Sequence, residues 1–147
     1  MIPMNTEQKM IYIRGLGAIV INGNYSQSDF LTRCDTLLVG SSQDAQITLF
    51  SQILQLTKIG KHETACALAD ALITKYPFAK KAITIEKCKV LKINALYSDA
   101  LTIINALIAE LGMDKDLAIS KIDILTNDVE NDHTQDLLSL YEFINIV

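Results

Sequence analysis

Apolar positions recur three and four residues apart along nearly the whole chain, and no stretch alternates with a period of two. That pattern predicts an all-α fold. In the first stretch, from Thr6 to Ile21, the residues Ile11, Gly15, Ala18, Ile19 and Asn22 share one side. Thr6 is a candidate N-cap and Gly23 a stop, because glycine accepts the left-handed conformation that often ends a helix. A second helix is expected from about Gln27 to Val39, burying Phe30, Leu31, Cys34, Leu37 and Leu38. After the break at Gly40-Ser41-Ser42, a third should run from about Gln43 to Ile59, with Ser42 as its cap and Gly60 as its end. The fourth, from His62 to Lys75, must stop near Tyr76, because Pro77 disfavours helical geometry in the residue before it. A fifth from Phe78 to Ile93 and a sixth from Ser98 to Leu111 follow. A seventh, capped by Asp114 or Asp116, should end near Asn127. Asp132 and Gln135 have capping-box spacing before an eighth that would bury Leu137, Leu138, Tyr141 and Ile144.

The breaks themselves are periodic. Gly23-Asn24-Tyr25 with Ser28 lines up with Gly60-Lys61-His62 and Ala65, 37 residues on, and with Ala95-Leu96-Tyr97 and Ala100, 35 further on. In the same frame Ala69 matches Ile104, Leu72 matches Leu107, and Pro77 falls where Gly112 does. A repeat of this length is that of stacked helix hairpins. A small residue makes each turn, an aromatic or His fills the space beside it, and a small residue lets the second helix pack closely. The pattern resembles the Gly-x-Tyr-x-x-Ala and terminal Pro of the tetratricopeptide (TPR) repeat. It implies a TPR-like helical-hairpin solenoid of about three repeats and about eight helices. Residues 1–40, 41–77 and 78–112 would be three helix pairs of a single domain over 1–147, with a C-terminal pair, 113–147, capping the stack or joining its groove.

Composition narrows the function classes. Half of the residues are hydrophobic and only 20% are charged, which excludes an intrinsically disordered chain. A net charge of −4 argues against nucleic acid, where a basic face supplies most of the affinity. The run from Gly15 to Ile21 is far short of the roughly 20 apolar residues a membrane span needs, and nothing follows it like a signal-peptide cleavage site. A cytoplasmic protein is expected, without membrane insertion. Cys34, Cys66 and Cys88 form no Cys-x-x-Cys pair, so reduced, packed thiols are expected. Charge is unevenly spread: residues 44–93 carry net +4 and residues 94–147 net −8. That asymmetry suggests either a field that orients a partner or a solvated helical surface.

No residue set has the spacing of an active site. His62 and His133 have no second His or Cys at metal-ligand distance in the sequence; His62 sits at the aromatic position of its repeat, and His133 should be solvated. Gly15-Leu16-Gly17 lies inside a helix pattern and follows no strand, so it reads as glycines for close helix approach rather than a nucleotide loop. No enzymatic activity, cofactor or metal is expected.

A TPR solenoid lines a groove with the first helix of each pair. Carried onto this chain, the groove set is Met10, Ile13, Gly17, Val20 and Ile21, then Ile47, Phe50, Leu54, Thr57 and Lys58, then Ala82, Ile85, Lys89, Lys92 and Ile93. Ile13, Gly17, Val20, Ile47, Phe50, Leu54, Lys58, Ile85, Lys89 and Lys92 are the principal candidates. An apolar groove with a cationic end would suit an amphipathic helix ending in a carboxylate; the alternative is that these residues are core.

The run Ile13…Gly17…Ile21-Asn22-Gly23-Asn24-Tyr25 with Cys34-Asp35-Thr36-Leu37-Leu38 is similar to the opening of the TPR-type needle-protein chaperones of bacterial type III secretion. The likeness continues through Leu56-Thr57-Lys58-Ile59-Gly60-Lys61-His62-Glu63-Thr64-Ala65 and Tyr76-Pro77 to Ile85-Glu86-Lys87-Cys88-Lys89-Val90-Leu91, covering roughly residues 10–95. The resemblance implies a cytosolic chaperone that sequesters a needle subunit by holding its C-terminal amphipathic helix. It also implies a small helical co-chaperone packed on the first repeat. A chaperone for translocator proteins, or a general peptide-binding adaptor or scaffold, are the alternatives.

Overall fold

Eight α-helices account for most of the chain in the computed structural model, which describes residues 3–144. They are α1 (Thr6–Ile21), α2 (Gln27–Leu37), α3 (Gln43–Gln55), α4 (His62–Lys75), α5 (Lys80–Ile93), α6 (Tyr97–Leu111), α7 (Lys115–Asn127) and α8 (Thr134–Ile144). A 3-10 turn, Pro77–Ala79, leads into α5, and there is no strand among the described residues. The expected all-helical fold class is what the chain adopts.

Side-chain caps fix where several helices begin. Asn5, one residue before the expected Thr6, caps α1 in a full capping box: its Oδ1 accepts from Gln8 N at 2.9 Å, and Gln8 Oε1 accepts from Asn5 N at 3.0 Å. Ser26, Ser42 and Asp114 cap α2, α3 and α7. At α8 the expected pairing with Gln135 does not form. Asp132 instead accepts from the backbone and hydroxyl of Thr134, a local Asx turn that starts the helix. The third helix stops at Gln55 rather than Ile59, because Thr57 turns its hydroxyl back onto the carbonyl of Leu54 at 2.7 Å.

The turn positions of the proposed repeat frame are geometrically equivalent. Gly23 has φ +83°, Gly60 +88° and Ala95 +59°, the last the one non-glycine residue with positive φ among the described residues. A left-handed residue at each of these positions reverses the chain between α1 and α2, α3 and α4, and α5 and α6. Asn94 ties two of these turns together by accepting from Gly60 N at 2.8 Å. The small positions behave alike from the second pair onward: Ala65 and Ala100 are wholly buried, as are Ala69 and Ile104. Ser28, their counterpart in the first pair, is exposed.

Helices α1, α3, α5 and α7 each pack on the next in the series, and α4 and α6 both pack on α5. The core is correspondingly divided. One cluster, around Ile13, Phe30, Phe50, Ile53, Leu68 and Leu72, joins α1 to α4 and one side of α5, through Ile83 and Val90. A second, around Cys88, Ala100, Ile104, Leu107, Leu117 and Ile124, joins α5 to α7. The half-buried Cys66 touches both. Leu140 anchors α8 on Ala118 and Leu125, while Leu138, expected inside, is exposed.

Ion pairs explain the charge asymmetry. Every lysine of α5 has an acidic neighbour: Lys80 meets Glu110 at 2.7 Å, Lys81 meets Asp114 at 2.6 Å, and Lys92 meets Asp123 at 2.6 Å. Lys87 meets Asp70 at 2.7 Å, and Lys89 approaches Glu86 at 3.4 Å. The basic middle of the chain is thus set against the acidic C-terminal third within one molecule. Much of that charge is matched within the chain's own helix packing.

Candidate protein-binding surface

Helical period alone does not say which face of a helix meets solvent, and the expected groove residues divide accordingly. Ile13, Gly17, Val20, Phe50 and Leu54 are interior, with Phe50 at 0% exposure and Leu54 at 1%. Leu54 nonetheless lines a cavity of about 250 Å³ together with Thr57, Lys89, Lys92 and Ile93, all members of the expected set. Phe50 packs its ring 4.8 Å from that of Tyr76, and Gly17 lies directly against Ile53. Ile47 and Ile85 are half-buried at the margins of the core, and Lys58 is exposed. Lys89 and Lys92 do not form a free cationic end, since Glu86 and Asp123 stand beside them.

The face that α1, α3, α5 and α7 share carries polar links between its helices. Arg14 donates to Gln52 Oε1 at 3.4 Å, linking α1 to α3. Gln55 donates to Glu86 Oε1 at 3.1 Å, linking α3 to α5, and Lys92 joins α5 to Asp123 of α7. Glu86 is buried, at 7% exposure. These side chains sit one or two residues from the expected apolar set, a shift that turns the helix face by a quarter turn or more.

A second surface with cavities lies between α4 and α6. The two helices run parallel, with α5 antiparallel between them as a floor. Two cavities lie along this furrow and share Lys87 and Ile103. One, of about 360 Å³, is lined by Ile73 and Thr74 of α4, Thr84 of α5, and Ala106, Leu107 and Glu110 of α6. The other, of about 490 Å³, is lined by His62, Glu63 and Cys66 of α4, Leu91 of α5, and Asp99 and Thr102 of α6. From His62 to Thr74 the α4 wall extends roughly 18 Å, at about 1.5 Å per residue. Glu63 and Asp99, like Thr74 and Glu110, line these cavities from opposite walls one residue out of the repeat frame, whose 35-residue offset pairs Glu63 with Ser98 and Thr74 with Ala109. By contrast, α2 and α4 are clamped together by Lys75–Asp35 at 2.5 Å and by the Tyr76 hydroxyl on Asp35. The furrow therefore opens at the same boundary where the two core clusters part.

The polar groups outside the furrow have structural partners. His133, expected to be solvated, is mostly covered and lies 2.9 Å from Asp128. Asn131 donates to both carboxylate oxygens of Asp128. These hydrogen bonds, the one from His133 foremost, hold the Asp128 carboxyl below the usual range. The three thiols are free. Burial pushes Cys34 and Cys88 up to about 12, which leaves them as packing residues. Cys66 is also raised, chiefly by burial, yet it opens onto the furrow. His62 lines the same cavity, and its Nδ1 is buried without a hydrogen-bond partner. Among the described residues no cluster of His, Cys, Asp and Glu has the geometry of a metal site, and no helix is long and apolar enough to cross a membrane.

Neither a known protein-family model, nor a curated protein, nor a solved structure matches this chain.

The furrow leaves a signal in the sequence. Its apolar lining, Ile73, Ile103 and Leu107, belongs to the second helices of the hairpins, whereas the expected groove lies on the first helices. Along the two walls stand Cys66 and Thr74 on α4 and Thr102 and Ala106 on α6. Small or short residues at those positions keep the two walls low.

Proposed function

We propose that the chain is a non-catalytic binding protein that holds a helical segment of a partner, as a needle-subunit chaperone of type III secretion would. The observation that carries this reading is the α4–α6 furrow, an apolar channel about three helical turns long, open between two otherwise packed halves. Helix-in-groove recognition needs such a channel, because apolar side chains at i, i+3 or i+4, and i+7 of the guest must leave water together. The mechanism is steric: a subunit whose assembly helix lies in the furrow cannot polymerise. The resemblance also implies a small co-chaperone on the first repeat. The surface that suits it is the outer stripe of α1, where Ile11, Tyr12 and Ile19 are exposed around the open Gly15.

Co-expression with a needle subunit and a small helical co-chaperone tests the proposal. The expected result is a soluble heterocomplex from which Ile103→Glu releases the client, while Tyr12→Glu releases only the co-chaperone. Ile103 is half-buried at the furrow rather than in the core interior, so the variant should keep its helical content. A client that stays bound to folded Ile103→Glu protein would overturn the furrow as its seat.

A further inference from the structure

Charge along the furrow is one-sided. At the end nearer Thr74 Lys80 pairs with Glu110, and Lys87, which lines both cavities, has its charge matched by Asp70. At the other end Glu63 and Asp99 stand on opposite walls, both exposed, and neither has an ion-pair partner among the described residues. Each lies in the first turn of its helix, so the N-terminal dipoles of α4 and α6 offset part of this charge. A helix N-terminus carries about half a positive charge, so two of them leave roughly one of the two negative charges uncompensated. Lys61 is exposed but lies outside the residues that line the cavity. His62 leaves Nδ1 without a partner at this same end.

We infer that the furrow takes an amphipathic helix in one orientation, its apolar stripe on Ile73, Ile103 and Leu107 and a Lys- or Arg-bearing end between Glu63 and Asp99. The inference rests on the furrow being the binding site. Apolar burial along the channel supplies most of the affinity, and the acidic mouth supplies direction, since complementary charge acts more on specificity and register than on strength. An acidic end placed there would bring like charges together, whereas the paired far end offers neither attraction nor repulsion. The guest is thus the opposite of one ending in a free carboxylate at this mouth. A basic flank beside an apolar stripe is the chemistry that fits.

The test uses the intact chain and three synthetic three-turn amphipathic peptides, capped at both termini and identical except at one end. One carries two lysines there, one two glutamates, one two glutamines. Binding is read by fluorescence anisotropy at low and high salt, and a photo-crosslinker on the variable end reports its position by mass spectrometry. The lysine peptide should bind about five-fold tighter than the glutamate peptide at low salt, in the range expected of one or two partly screened charge pairs, with the preference shrinking as salt rises. Its crosslinks should fall on His62 or Thr102 rather than Thr74 or Ala106. In Glu63→Gln/Asp99→Asn the preference for the lysine peptide over the glutamate peptide should vanish. If the lysine and glutamate peptides bind the wild-type chain equally, or the preference survives in that double variant, the oriented docking is overturned and the furrow still stands. If Ile103→Glu, folded by circular dichroism, binds all three as well as wild type, or none binds the wild-type chain, the furrow itself is rejected, and the inference with it.

Discussion

Gly17 of α1 stands so close to Ile53 of α3 that a Cβ at position 17 would lie 2.6 Å from the Ile53 Cγ2 atom. Ile53 is wholly buried and β-branched, so it has little room or freedom to withdraw. Two residues away, Gly15 would place a Cβ in open space. The two glycines should therefore answer the same substitution with opposite sign. Gly15→Ala should stabilise by up to about 1 kcal/mol, the helix-propensity difference. Gly17→Ala gains the same propensity but forces the α1–α3 contact apart, and overpacking of that kind costs about 1–3 kcal/mol. Urea unfolding should show a raised midpoint for the first and a lowered one for the second. In Gly17→Ala/Ile53→Ala the two losses should fall short of additive, because the truncated side chain makes room for the new methyl.

Ala95 offers a second test of the repeat frame. It holds φ +59° where Gly23 and Gly60 hold similar positive angles. An L-residue in that conformation costs about 1–2 kcal/mol relative to glycine, partly offset by the extra freedom glycine has in the unfolded chain. Ala95→Gly should raise stability by roughly 0.5–1 kcal/mol. A lowered unfolding midpoint would sink the claim that this turn is strained.

These turns show what could be read from the sequence. The recurrence of Gly23, Gly60 and Ala95 located three hairpins, and the periodicity located eight helices to within a few residues at most ends. What could not be read was the rotation of each helix about its own axis. On α3 the residues Leu49, Phe50, Ile53 and Leu54 form one apolar face, and a search for a binding groove is drawn to that same face. The interior has the prior claim on it, since a wholly exposed Phe and Leu would forgo about 1.5–3 kcal/mol each. Gln52 and Gln55, which face the neighbouring helices' polar side chains, look unremarkable in the sequence because their partners, Arg14 and Glu86, are more than 30 residues away. The furrow was hidden for the same reason. It exists only where α4 and α6 fail to close over α5, which no single segment reveals.

Phe50 then becomes a stability residue. Phe50→Ala should cost about 3–5 kcal/mol, the usual range for a buried phenylalanine, and Phe50→Glu should unfold the N-terminal cluster by burying an unpaired charge. Loss of helical signal together with loss of client binding is the expected pattern. A folded Phe50→Glu protein that had lost only binding would restore the expected groove.

Two pH limits follow from opposite shifts. Asp128 is held below the usual carboxyl range by His133 and Asn131, so its contribution to stability is present above that range and is lost as pH falls through the lowered value. Asp128→Asn should flatten the acid limb of a stability profile below about pH 4. Cys34 and Cys88 are raised to about 12 by burial, so their contribution is complete below the ordinary thiol pKa and declines as pH climbs from about 9 toward 12. Cys88→Ala should lessen that alkaline decline, measured as the change in urea midpoint with pH. A profile unchanged in both variants would refute these assignments.

Cys66 gives the most direct reading of the furrow. It lines the larger cavity, while Cys34 and Cys88 are buried to 0% and 1% exposure. Thiolate is the reactive form, and all three thiols are raised, so the order of labelling is set by access. Iodoacetamide at mildly alkaline pH should modify Cys66 first. The two buried thiols should follow only at the rate of unfolding, with the order read by peptide mass spectrometry. A bulky maleimide on Cys66 places a group across the channel between Cys66 and Ile103, where a guest helix would lie. Labelled protein should therefore keep its helicity and lose client binding. Bound client should in turn protect Cys66 from the reagent and leave Cys34 and Cys88 as unreactive as before. Client binding that neither slows the labelling of Cys66 nor suffers from it would move the binding surface off the α4–α6 furrow altogether.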